Sequence, residues 1–314
     1  MTESSQLPPE ERKGLLARGA DSDLLHSFLR SKVTIIAAIV TAIYFLGAFL
    51  APLIAPHNPF DLMKISIMDS LIPPVWEEGG QQTFVIGTDD QGRDLLSAIM
   101  YGTRISLLVG FASVALAAVI GITLGLVAGY LGGMVDAVIM RIADVQLAFP
   151  AILIALLIDG SVHSAMEVTR EQSAFWVLVV SIGLSFWVQY ARTVRGSTMV
   201  ERNKEYVQAA RVIGVHPIRI MIRHVLPNVT GPVLVIATIN LALAIITEAT
   251  LSYLGVGIPP TQPSLGTLIR IGQDFLFSGE WWITIFPGIA LAGLVLAVNL
   301  LGDWLRDALN PKLR

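Results

Sequence analysis

Few residues in this 314-residue chain are of types that do chemistry, and their placement excludes most kinds of it. There is no cysteine, so disulfides, thiolate nucleophiles and Cys-based metal sites are ruled out. The five histidines, at positions 26, 57, 163, 216 and 224, are scattered and share no metal-ligand spacing. No G-x4-G-K-[ST] stretch occurs, so no phosphate cradle is visible. No catalytic residue, metal or bound cofactor is therefore expected of this chain. Four groups of polar residues remain. Asp89, Asp90, Arg93 and Asp94 lie within six residues, and an arginine among three carboxylates favours pairing over cation ligation. Thr88 or Asp89 reads as the N-cap of a helix starting there. Arg141 and Asp144, three apart on one helical face, pair with each other or with a neighbouring helix and are candidates for a gate. Glu248 is an acid at the end of an apolar run. It either lines a polar path, with Gln189 and Asn240 as weaker candidates, or braces the glycine-rich turn after it. The fourth group is the densest: EYVQAARVIGVHPIRIMIRHVLPN, from Glu205 to Asn228, within a stretch carrying seven Arg and Lys between Arg192 and His224.

The elements that hold these residues are apolar. The chain is 54% hydrophobic and 14% charged, where a soluble domain is about one quarter charged. That composition describes an all-α integral membrane protein. Six stretches are long and apolar enough to cross a bilayer: Val33–Pro56, Ile105–Val135, Ala137–Ile158, Ser173–Ala191, Val225–Thr247 and Trp281–Gly302. A further uncharged run, Ala249–Ile269, carries Gly255, Gly257, Pro259, Pro260, Pro263 and Gly266, and reads as a loop or re-entrant segment. The mixed-charge residues 1–32 read as a soluble tail rather than a signal peptide. Six spans put both termini on one side. With that side cytoplasmic, 16 of the 21 Lys and Arg fall inside, as the positive-inside rule requires. The expected organisation is a tail (1–32), a six-span membrane domain (33–305) and a cytoplasmic C-terminal tail (306–314). Within the domain lie an outer loop at 57–104, a cytoplasmic segment at 192–227 and an outer Gly/Pro-rich loop at 251–280. Gly121, Gly125 and Gly129 form a small-residue stripe suited either to a partner subunit or to packing within the chain, and the second is the simpler reading.

Within the cytoplasmic segment, Tyr206, Ala209, Ala210 and Ile213 share a helical stripe, as do Ile218, Met221, Ile222 and Val225. Gly214 ends the first helix, and Pro217 suits the first turn of a second, with His216 beside the cap. Two short helices at an angle result, a knuckle that either rests on the membrane or enters a partner. A solvated basic loop and a site for anionic lipid headgroups are the plainer alternatives.

The segment resembles the EAA loop of bacterial ABC-importer permeases, E-A-A-x3-G-x9-I-x-L-P. Ala209, Ala210, Gly214, Leu226 and Pro227 fall on that pattern. Gln208 stands where the pattern has Glu, and His224 where it has Ile; Glu205 lies one turn earlier. Further stretches are similar to the C-type permease of dipeptide and oligopeptide importers: GTDDQGRDLLSAIMYGTRISLLVG (87–110), AGYLGGMVDAVIMRIADV (128–145), EATLSYLGVGIPP (248–260) and FPGIALAGLVLAVNLLGDWLRDALNPKLR (286–314). PPVWEEGG (73–80) is similar to the outer loop of the dipeptide branch. The resemblance implies a type I ABC-importer permease with six spans, in the bacterial cytoplasmic (inner) membrane. It implies a heterodimer with a second homologous permease, two ABC ATPase subunits that bind ATP and Mg, and an extracytoplasmic substrate-binding protein. Membrane lipid surrounds such a chain, and nucleic acid is not an expected partner. Coupling to the ATPase is implied for Glu205, Gln208, Ala209, Ala210, Arg211, Gly214, His216, Pro217, Arg219 and Arg223. Contact with the binding protein is the candidate role for Asp89, Asp90, Arg93 and Asp94. Importers of nickel chelates, glutathione or oligosaccharides belong to the same family. A secondary transporter or a membrane-embedded enzyme is disfavoured, because the spans are nearly uncharged and hold neither His nor Cys.

Overall fold

The computed structural model describes residues 28–61, 65–165 and 169–308. Most of the N-terminal tail read at 1–32, and residues 309–314 of the C-terminal tail, lie outside the described residues. Among the described residues every regular element is helical. The elements are α1 (Lys32–Phe49), α2 (Leu95–Leu131), α3 (Gly133–Leu147), α4 (Ala151–Ala165), α5 (Arg170–Glu201), α6 (Glu205–Val212), α7 (Pro217–Ile220), α8 (Leu226–Tyr253), α9 (Leu265–Gln273) and α10 (Trp282–Ala308). A π-helical turn, Met221–Val225, joins α7 to α8, so Pro217–Tyr253 is one rod.

Local chemistry sets the helix ends. Asp94, rather than Thr88 or Asp89, caps α2: its carboxylate accepts from the Ser97 amide at 3.0 Å and from the Ser97 hydroxyl at 2.5 Å. Thr88 is used elsewhere. Its hydroxyl donates to the Asp69 carbonyl at 2.6 Å and accepts from the Ile72 amide at 2.8 Å. The α2 helix has 37 residues, about 55 Å at 1.5 Å per residue, against a hydrocarbon core of about 30 Å. Its first turns therefore stand outside the bilayer. The helix begins ten residues before the apolar run that starts at Ile105, because polar Arg104 does not interrupt a helix that is continuous on geometry. The run Ala249–Ile269 is not one loop. The α8 helix continues to Tyr253, and Ser264 caps the nine-residue α9 by accepting from Thr267 N–H.

Five helices are individually long and apolar enough to span, and α3 with α4 form a sixth candidate bent by 92°. Packing directions decide whether that bent pair crosses. Gly121, Gly125 and Gly129 of α2 lie against Trp187–Ala191, Ala191–Val194 and Arg195–Thr198 of α5, so α2 and α5 run parallel. A chain cannot traverse the bilayer twice in one direction without returning between, so α3–α4 must carry it back. Consistent with that, the Ile158–Val162 end of α4 adjoins Ser173 and Trp176 near the start of α5. The α8 helix opposes α2: Ser106 meets Glu248, and Gly110 faces Ile245. The end of α1 approaches the start of α2 through His57 N–H and Ser97 Oγ, 3.1 Å apart. The start of α10 joins the same outer layer through Trp282 Nε1 and the Thr88 carbonyl, 3.1 Å apart. Six crossings follow, and both described ends lie on one face, where Phe28 packs edge-on against Trp304.

The glycine stripe thus serves packing within the chain. A Cβ on Gly125 would sit 2.6 Å from the Ala191 carbonyl oxygen, a backbone atom that cannot swing away. Gly125→Leu should cost about 1–3 kcal/mol through overpacking. It should lower the unfolding temperature of the detergent-solubilised protein, while Gly196→Ala, whose Cβ meets nothing within 4 Å, should not.

Candidate functional site

The knuckle lies on the face shared by the chain ends. The α6 helix stops in a Schellman turn: Val215 N–H donates to the Ala210 carbonyl at 3.0 Å, and Gly214 N–H to the Arg211 carbonyl at 3.0 Å. Gly214 has φ +84°, a left-handed conformation that suits glycine. Pro217 opens α7 in the first turn, and His216 occupies the cap position without a side-chain capping bond. The helical stripes differ from those read in the sequence. Val207, Ala210, Ile220 and Val225 are buried against the bundle, while Ala209 is exposed. Val212 and Ile213 are 88% and 79% exposed, and Ile218 and Ile222 are 54% and 59% exposed. The apolar pattern therefore has two faces, one for the chain's own helices and one left open. Beside the open face, His216, Arg219 and Arg223 share a shallow groove with Ile218 and Ile222. Glu205 and Gln208 are also exposed.

The inner face of the knuckle is tied down. Tyr206 donates to Glu201 Oε1 at 2.5 Å and accepts from Asn228 Nδ2 at 3.0 Å. Burial, reinforced by the Glu201 carboxylate, pushes its phenol up to about 12, so it remains a donor at cellular pH. Lys204 pairs with Glu201 at 2.8 Å. Arg202 Nη1 donates to the Gly129 carbonyl at 2.9 Å, at the end of α2. The Arg211 guanidinium stacks 4.7 Å over the Tyr130 ring and donates to its hydroxyl at 3.3 Å. The α6 helix is therefore fastened to α2 and α5 through short, specific contacts. Tyr130 and Arg202 were not singled out by sequence reasoning, because their partners lie about 70 to 80 residues away in the chain.

The other candidates separate. Asp144 does not pair with Arg141; it accepts from Arg192 Nη2 at 2.7 Å, and Arg141 is exposed. Gln189 is exposed on α5. Asn240 is fully buried beside Tyr190, and neither its amide nor the phenol reaches hydrogen-bond geometry. Glu248 is also fully buried, accepting from Ser106 Oγ of α2 and Ser252 Oγ of α8, each at 2.7 Å. Those serines in turn accept from Leu265 N–H at 3.4 Å and Ile258 N–H at 3.3 Å. Glu248 thus braces the Gly/Pro-rich turn and α9 rather than facing an open path. At the opposite face Asp89 and Arg93 are a buried pair at 2.6 Å, and Arg93 also donates to the Pro260 carbonyl at 2.9 Å. With Asp94 buried as the α2 cap, Asp90 is the member of the group that reaches the surface.

A family model described as "Binding-protein-dependent transport system inner membrane component" matches residues 121–314, more than half of the chain. The chain belongs to this family. A second family model, "N-terminal TM domain of oligopeptide transport permease C", matches residues 22–74. The dipeptide transport system permease protein DppC of Haemophilus influenzae is 40% identical over 287 residues, 91% of this chain and 93% of the relative. The di/tripeptide transport system permease protein DppC of Pseudomonas aeruginosa is 39% identical over 267 residues, 85% and 84% of the two chains. DppC of Escherichia coli K12 is 40% identical over 289 residues, 92% of each. Among solved structures, a chain of the MetNI methionine ABC transporter in an inward-facing conformation superposes with a TM-score of 0.53 at 19% identity. The match covers 68% of this chain and 96% of that one, a likeness of fold. The protein is a multi-span permease, a transport component with the fold of an ABC-importer permease.

Asp90 offers a pH test of the outer layer. Burial, and then the Asp89 carboxylate, hold its pKa above the ordinary carboxylate range. A raised pKa in the folded state stabilises below the unfolded value, and that stabilisation is lost as pH rises through the folded value. Asp90→Asn should therefore unfold at a higher temperature than the parent protein at neutral pH, with the gain disappearing near pH ~4.

Proposed function

We propose that the chain is the C-type permease subunit of a peptide importer, moving dipeptides or oligopeptides by alternating access. The observation that carries this reading is the knuckle: an open apolar face at Val212, Ile213, Ile218 and Ile222, flanked by Arg219 and Arg223, on a base fastened to α2 and α5. A surface of that kind suits a docked protein. Val212 and Ile213 project far enough to enter a groove, and the contacts behind them transmit displacement. The partner inferred is an ABC ATPase, one of two, holding ATP and Mg in trans. The names of the relatives support a peptide cargo. The lysine and arginine bias supports a cytoplasmic knuckle with cytoplasmic termini, and hence the bacterial inner membrane. A second, homologous permease completes the membrane unit, and a substrate-binding protein delivers cargo on the far face, where Asp90 is accessible.

ATPase closure would push on α6 and α7, and the rod Pro217–Tyr253 would carry that push through the bilayer. Gly214 tests the reading. A Cβ there meets nothing within 4 Å, so a large side chain would project into the docking surface, while the left-handed φ adds about 1–2 kcal/mol of local strain. Gly214→Trp should abolish peptide uptake and uncouple ATP hydrolysis in proteoliposomes holding the full complex. Gly214→Asn, which tolerates the same backbone, should retain both. Unchanged coupling in the Trp variant would remove the knuckle from the mechanism.

A further inference from the structure

The α3 helix is held unlike its neighbours. Of its fifteen residues Ala143 alone is buried, while Met134, Val138, Ile142 and Val145 are exposed. Packing therefore contributes little to its position. At one end it joins α2 through Gly132, with φ +70°. At the other it meets α4 across a 92° bend at residues 148–150, which include Pro150. Between those joints two ion pairs tether it, both to α5. Arg195 Nε and Nη2 grip both oxygens of Asp136 as a fork, and Arg192 Nη2 bonds Asp144 at 2.7 Å. The two arginines are three residues apart on one face of α5, and the two aspartates are eight apart on α3. Equal steps along parallel rods would keep equal spacing. The two arginine side chains therefore splay to hold carboxylates that are farther apart than they are.

Arg192 and Arg195 lie in the turns of α5 that precede Glu201 and Arg202, the residues that anchor the knuckle. A displacement of the knuckle that moves the end of α5 therefore pulls on Asp136 and Asp144. We propose that Asp136 and Asp144 are positioning residues for transport: through Arg195 and Arg192 they make α3 follow the coupling segment, so that α3 swings about its two joints as an inner gate. This rests on the reading of the chain as an ATPase-driven permease. The Arg192–Asp144 pair is exposed and adds little to stability, while the forked, partly buried Arg195–Asp136 pair is the firmer tether.

The test uses the whole complex in proteoliposomes, with labelled dialanine as cargo. The variant Asp136→Asn/Asp144→Asn should co-purify with its ATPases and hydrolyse ATP, yet move roughly tenfold less dialanine per ATP, a coupling loss of the usual allosteric size. Exchanging the charges, Asp144→Arg with Arg192→Asp, should restore the ratio lost in Asp144→Arg alone. Spin labels at Val138 and at Val200, an exposed residue near the end of α5 outside the docking face, supply a readout that needs no cargo. Their separation should stay constant through the ATP cycle in the parent complex and broaden in the neutral variant. An unchanged transport ratio in the neutral variant, a charge exchange that restores nothing, or a label separation that varies in the parent complex would each overturn the proposal. A parent complex that hydrolyses ATP but moves no dialanine would count against the peptide reading, while the spin-label distances would still decide the role of α3.

Discussion

The close approach of α2 and α5 is the constraint from which the rest of the architecture follows. Three glycines in every-fourth register let the two backbones meet at distances no Cβ would allow. In a bilayer, where apolar side chains gain little by leaving lipid for protein, such contact is a main source of helix association. Because the two helices lie parallel, the chain between them must recross, and the bent α3–α4 pair is the result. Because their ends finish side by side, Arg202 can reach the last carbonyls of α2 from the end of α5. The base of the knuckle is thus a consequence of the glycine contact one to three turns away.

Charge is placed according to the cost of leaving it unpaired. Glu248 and the Asp89–Arg93 pair are fully enclosed, and each has several short partners. Both join distant parts of the chain: Glu248 links α2 to α8 and the turn before α9, and Arg93 links the outer loop to Pro260. The pairs from α5 to α3 are more exposed and hold a helix with almost no buried side chain. Enclosed polar nodes thus lie at one face of the molecule and more open ones at the other. Asn240 and Tyr190 are among the exceptions, buried between helices without completed hydrogen bonds. Nothing in the structure accounts for that cost.

The amphipathic knuckle shows why helical periodicity was an incomplete guide. The sequence has apolar residues on more than one side of α6 and α7, and the stripes read from it grouped Tyr206, Ala209, Ala210 and Ile213 together. In the fold Val207 and Ala210 turn inward, while Val212 and Ile213 turn out. Periodicity reports that a surface is apolar, but not which of two apolar surfaces meets the chain's own bundle. The same limit applies to Asp144. A spacing of three left both Arg141 and a neighbouring helix open as its partner, and the packed fold selects Arg192 of α5, at 2.7 Å, while Arg141 is exposed.

Sequence alone carried an all-helical chain with six candidate spans, a concentration of Arg and Lys between Arg192 and Arg223, and a turn at Gly214 and Pro217 that shapes a basic knuckle there. Those features depend on local properties: the length of an apolar run, the φ that glycine tolerates, the absent N–H of proline. Motif spacing also carried the family, since residues 87–110 and 286–314 are recognisable without any fold. Tertiary structure decided which helices run parallel, that the third crossing is bent, that Asp94 rather than Thr88 caps α2, and that Asp89, Arg93 and Glu248 are sealed from solvent. Each of these depends on contacts between residues far apart in the chain, where the competing partners are equally acceptable by composition and only the packed geometry selects one.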